Sequence, residues 1–107
     1  MRWTAETLNA AVGAEIEALP RDMRARLARL IGVIQGFGFQ ALPRDSVKHL
    51  DGKLWELRMT GRDGISRAIY VTATGQRIVI VRAFVKKTQQ TPRRELDIAR
   101  QRAKEVR

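Results

Sequence analysis

LWELRMTGRDGISRAIYVTATGQRIVIVRAFVKKT, residues 54–88, holds three apolar runs, each alternating or β-branched and each bounded by turn residues. The first is Leu54-Trp55-Glu56-Leu57-Arg58-Met59. The cluster Thr60-Gly61-Arg62-Asp63-Gly64 turns the chain, because glycine adopts positive φ without steric cost. The second run is Ser66-Arg67-Ala68-Ile69-Tyr70-Val71-Thr72, and Thr74-Gly75 turns the chain again. The third is Arg77-Ile78-Val79-Ile80-Val81-Arg82-Ala83-Phe84. Connections this short join antiparallel neighbours, so the stretch predicts a meander.

Side chains alternate faces along a strand. A turn that pairs Met59 with Ser66 sets Arg58 opposite Arg67. A tight turn that pairs Thr72 with Arg77 sets Arg67 opposite Arg82. In that register Arg58, Arg67 and Arg82 form a row, and Glu56 lies two residues along on the same face. Trp55, Leu57, Ala68, Tyr70, Val79 and Val81 then share the other face, buried under helices. A one-residue slip would reverse every assignment. Like charges directly opposite one another are destabilising, so such a row either takes an anion or pairs with Glu56 and other acids. Phe84-Val85-Lys86-Lys87-Thr88 follows the row and adds two cations and a ring.

Outward from the meander, residues 3–8 read either as a capped helix start or as a short first strand. Asn9 is a fitting N-cap for a helix carrying Ala11, Val12, Ile16 and Leu19 on one side. Pro20 ends that helix and can open the next. From Arg21 to Gln35, Met23, Leu27, Leu30, Ile31 and Ile34 make one apolar stripe, and Gly36-Phe37-Gly38 stops the helix. The two helices predict a hairpin on the apolar face of the sheet. Phe39–Ser46 is a loop, and Val47-Lys48-His49-Leu50 a short extended segment turning at Asp51-Gly52. Thr91 and Pro92 cap and open a last helix reaching about Val106, with Leu96, Ala99, Ala103 and Val106 as its apolar stripe. The expected fold class is α+β: a small, mainly antiparallel β-sheet with an N-terminal helical hairpin on one face and a C-terminal helix. The 107 residues suit a single domain spanning 1–107.

Composition narrows the function. There is no cysteine and one histidine, which argues against disulfides, zinc–thiolate centres, thiol nucleophiles and a His-rich metal site. No acidic cluster suggests metal-ion catalysis, and no phosphate loop or dinucleotide fingerprint is present. No cofactor is expected. No apolar run approaches the roughly 18 residues of a membrane span, and no signal-peptide pattern opens the chain, so a soluble cytoplasmic protein with no membrane partner is expected. Net charge is +10. Residues 1–41 are nearly balanced, with five basic and four acidic side chains, whereas residues 42–92 carry ten and four. Residues 93–107 carry six and three, so the excess sits on the sheet region and the last helix; it favours a polyanionic partner, with an acidic protein or an anionic membrane surface as the alternatives.

The runs GKLWELR, SRAIYV and above all RAFVKKTQQTPRREL resemble the phage-derived Gp49-like branch of the RelE/HigB toxin superfamily. The resemblance covers most of the chain. It implies a RelE-like α+β domain that acts as the toxin of a type II toxin–antitoxin module. It implies metal-independent, ribosome-dependent cleavage of mRNA, with mRNA and the ribosome as partners. It also implies neutralisation by a cognate helix-turn-helix (HigA-like) antitoxin. Arg67 matches the family's strand arginine and is the first candidate for phosphate stabilisation. Lys86 and Lys87 match the basic pair after the last strand, and Arg58 matches a basic position after the ELR strand. Some relatives carry lysine where this chain has Glu56, so Glu56 is either a general base or the group that holds Arg58 or Arg67.

RNA cleavage suits this set, because the substrate's 2′-OH is the nucleophile. Arginines on a rigid sheet match phosphate oxygens bidentately, and a lysine among cations has a lowered pKa for proton transfer. His49 is either structural or catalytic. Phe84 either stacks on a base or packs in the core. Arg82, Phe84, Lys53, Arg93 and Arg94 complete the candidate RNA-binding set. Two other functions remain open: ParE-like inhibition of DNA gyrase without nuclease activity, and non-catalytic nucleic-acid binding.

Overall fold

The computed structural model describes residues 2–86 and 90–107. Along the chain run β1 (Thr4–Thr7), α1 (Ala10–Glu17), α2 (Arg21–Phe37), a 3-10 turn (Phe39–Ala41), β2 (Val47–Asp51), β3 (Leu54–Gly61), β4 (Gly64–Ala73), β5 (Arg77–Lys86) and α3 (Arg93–Ala103). The sheet order is β1-β5-β4-β3-β2; β1 is parallel to β5 and every other neighbour is antiparallel. The α+β class, the meander, the helical hairpin and the C-terminal helix are all present.

Local chemistry explains the elements. Asn9 caps α1, its Oδ1 accepting from the Val12 N–H at 3.1 Å. Met23, Leu27, Leu30 and Ile34 of α2 are buried, as their 3.6-residue spacing requires. They pack with Val12, Leu57, Met59, Ala68, Tyr70, Ile78 and Ile80 into the main core. Burying each large apolar side chain contributes roughly 1.5–3 kcal/mol. Across the sheet a smaller core joins Leu54, Ile69, Val71, Val79, Val81 and Phe84 to Leu96, Ala99, Ala103 and Val106 around α3. The sheet is therefore covered on both faces. The β3–β4 turn is pinned to α2, because Asp22 Oδ2 accepts from the Arg62 N–H at 2.6 Å.

The register of β3 on β4 is as expected: Met59 faces Ser66 and Arg58 faces Arg67. The register of β5 is not. Ala73, rather than Thr72, pairs with Arg77, leaving the three-residue loop Thr74-Gly75-Gln76. Gly75 and Gln76 take φ of 82° and 56° there. This shift puts Ile78 and Ile80 in the main core and sends Val79 and Val81 to the α3 side, opposite to expectation. A register break between Ile69 and Tyr70 then pairs Ile69 with Arg82 and Tyr70 with Ile80, leaving Val81 as the extra residue. Phe84, not Arg82, faces Arg67. The three-arginine row is thus two arginines and a phenylalanine. Trp55 also departs from expectation: it is 39% exposed and lines an open cavity of about 300 Å³ with Trp3, Phe39 and Tyr70.

Candidate active site

Glu56 stands in the middle of β3 on the α3 side of the sheet, with no solvent exposure. A buried carboxylate is costly unless it is paired and hydrogen-bonded. Here Oε2 accepts from Arg67 Nη1 on the neighbouring strand and from Arg58 Nε at 3.1 Å. Oε1 accepts from the Thr91 hydroxyl at 2.9 Å. Two arginines directly opposite on adjacent strands would repel. The Glu56 carboxylate, two residues along β3 on the same face, lets Arg58 and Arg67 share the site. Glu56 therefore holds both arginines in this structure.

Arg67 is 2% exposed, and its Nε has no hydrogen-bond partner among the described residues. Burial is the main influence on its pKa and lowers it, Arg58 lowers it further, and Glu56 opposes both. Lys86 is buried on the same side of the sheet, two residues beyond Phe84. Its pKa is pushed below the ordinary lysine value of 10.5, first by burial and then by the Arg67 charge; Arg58 and Lys48 add to this and Glu56 opposes it. Lys48, opposite Glu56 on β2, was missed by the sequence reading, although the Asp51-Gly52 turn implied its register. Arg58 is the member that reaches solvent, with 28% of its side chain exposed. Arg58 and Arg67 together carry more positive charge than the one carboxylate they share.

The other candidates fall elsewhere. Lys87 lies outside the described residues. Arg82 is taken up by Glu95 Oε1 at 2.8 Å and Glu15 Oε2 at 2.7 Å. Phe84 is 8% exposed and belongs to the smaller core. Lys53 lines a hollow with Thr72, Thr74 and Arg107, away from Arg67. Arg93 and Arg94 are exposed on the first turn of α3. His49 Nε2 donates to the Gly52 carbonyl at 2.8 Å and its ring packs on Trp55, so it braces the β2–β3 turn. Thr91 corrects the predicted cap: Pro92 occupies the N-cap of α3 without a side-chain bond, and the Thr91 hydroxyl serves Glu56 instead. Among the described residues no three His, Asp or Glu side chains gather as a metal site would need. No helix is long and apolar enough to cross a membrane.

The family model for phage-derived Gp49-like proteins (DUF891) matches residues 14–104. The match runs from within α1 to the end of α3, and so includes every group named in the site. The chain belongs to this family of RelE/ParE-type toxin-like proteins. The general class that membership implies is the toxin of a toxin–antitoxin pair. No curated protein matches the sequence.

Proposed function

We propose that the protein is a toxin that cleaves ribosome-bound mRNA through a metal-independent transesterification, and that a helix-turn-helix antitoxin encoded beside it neutralises it. The observation that carries this is the charge excess around Glu56: two arginines held by one buried carboxylate, with a lysine of lowered pKa beside them. A phosphate approaches from the Arg58 side and meets the donors of Arg58 and Arg67. The 2′-OH attacks phosphorus, forming the O2′–P bond as the P–O5′ bond breaks. Lys86, in its neutral form, takes the 2′-OH proton, and Lys87 is the candidate to protonate O5′. Charge on the phosphoryl oxygens develops against donors already fixed by Glu56, so little reorganisation is required in the transition state. The products are a 2′,3′-cyclic phosphate and a 5′-OH.

The test is inducible expression with and without the neighbouring antitoxin, followed by mapping of mRNA 5′ ends. New 5′-OH ends within translated regions, suppressed by the antitoxin, are expected. Growth arrest with intact mRNA and trapped gyrase–DNA complexes would replace the nuclease with a ParE-like activity.

A further inference from the structure

Beside the solvent-reaching end of Arg58, at the edge of β3 beyond the reach of β2, lies a pocket of about 210 Å³. Arg26 of α2, Arg44 and Ser46 of the following loop, and Arg58 and Thr60 of β3 line it, with Asp45 at its margin. Arg26 and Arg44 make no hydrogen bond or ion pair among the described residues, and the Arg26 Nε is buried without a partner. Asp45 is likewise in no ion pair there, so it does not neutralise them. The wall is rigid. The Arg58 N–H donates to the Ser46 carbonyl at 2.8 Å, and Ser46 Oγ donates to the Pro43 carbonyl at 2.5 Å. Three arginines lining a space this small suit a phosphate group, whose oxygens accept the paired donors of a guanidinium. They suit a bulky helix poorly.

Arg58 belongs to both places. Its Nε serves Glu56 while its side chain lines this pocket. We propose that the Arg26–Arg44–Arg58 pocket binds a phosphate of the RNA strand next to the one at Arg67, and so sets the path of the strand across the sheet edge. This rests on the nuclease reading for the position of the cleaved phosphate, but strand binding by the pocket can be measured without cleavage.

The experiment uses the full chain made in a cell-free system. Its probe is a short single-stranded RNA with 2′-O-methyl groups, which cannot be cleaved by 2′-OH attack. The Arg26→Ala/Arg44→Ala variant should bind it about tenfold more weakly at low salt. Because one phosphate contact is lost, the slope of log affinity against log salt should become shallower by about 0.7. Arg44→Glu tests the same pocket at an exposed loop position, where folding is not at stake, and should weaken binding at least as much. Inorganic phosphate at millimolar concentration should not displace the RNA; displacement would make the pocket a free-phosphate site and overturn the proposal. Unchanged RNA affinity and slope in both variants would also overturn it, as would loss of antitoxin binding with RNA binding intact. Failure of wild-type protein to cleave unmodified mRNA, with these binding losses still seen, would remove the nuclease and keep the pocket.

Discussion

Arg67 and Arg82 are both strand arginines bonded to glutamate on the α3 side of the sheet, yet they do different work. Around Arg82 the charges balance: Arg82 and Arg102 meet Glu15 and Glu95. That cluster also closes an edge. Beyond Ile80, β5 has no β1 residue beside it. Its exposed backbone is served by side chains, with the Ala83 N–H donating to Glu15 Oε1 at 3.1 Å and the Val81 carbonyl accepting from Arg102 Nη1 at 2.9 Å. Around Arg67 the charges do not balance. One buried glutamate answers two arginines. A cluster that satisfies itself is structural, whereas one left with a surplus arginine charge, and with a guanidinium nitrogen unpaired among the described residues, is equipped to receive an anion.

Three substitutions sharpen that contrast. Glu56→Gln removes the one charge that compensates buried Arg67, and leaving a buried charge unpaired costs roughly 3–5 kcal/mol. A lower denaturant midpoint and loss of mRNA cleavage should appear together, because the arginines lose their anchor. Arg82→Ala breaks two partly exposed pairs and should cost about 1–3 kcal/mol, seen as a lower melting temperature with cleavage per folded molecule retained. Thr91→Val deletes a single hydroxyl bond to Glu56 and should cost about 1 kcal/mol. A Thr91→Val variant as unstable as Glu56→Gln would mean that the hydroxyl, not the arginines, anchors the carboxylate.

The smallest expected effect is in pH dependence. Burial raises the Glu15 pKa, but the Arg102 bond, the Ala83 N–H and the charges of Arg82 and Arg102 outweigh it and hold the carboxyl below its ordinary 4.5. A depressed carboxylate stabilises the fold above its unfolded pKa, and that contribution fades as pH falls through the lower folded value. Glu15→Gln should therefore lower stability near neutrality and flatten the acid limb, so that its difference from the wild type shrinks as pH falls below about 4.5. In the proposed mechanism Lys86 acts on cleavage instead: its limb of the pH–rate profile should lie below 10.5, and Lys86→Ala should abolish that limb.

Much of this contrast was legible in the sequence, and the part that was not has physical causes. The Gly61–Gly64 turn fixed the pairing of Arg58 with Arg67, and Asn9 and the α2 stripe were readable from residue type and spacing, whereas composition left residues 3–8 open between helix and strand and only the family resemblance favoured the strand. The register of β5 was not. Ile78-Val79-Ile80-Val81 is apolar on both faces because both are buried, so alternation carried no information there. The extra residue at Val81 has no composition signal either, and with the three-residue turn it moved Arg82 out of the predicted row. Thr91 read as a helix cap because threonine before proline usually is one; its bond to a glutamate 35 positions away is a tertiary fact. Glu15 lies off the apolar side of α1, where nothing in the local sequence marks it, and only the unfilled edge of β5 gives it a role.

The most direct test compares Arg67→Ala with Arg82→Ala in a purified translation system, with cleavage measured per folded molecule. Loss of one preorganised donor costs about 3 kcal/mol in the transition state, or roughly a hundredfold or more in rate. Arg67→Ala should show that loss, Arg67→Lys should recover little because a point charge lacks the paired fork, and Arg82→Ala should cleave like the wild type. Equal cleavage by the Arg67→Ala and Arg82→Ala variants would contradict the assignment of the unbalanced cluster as the active site.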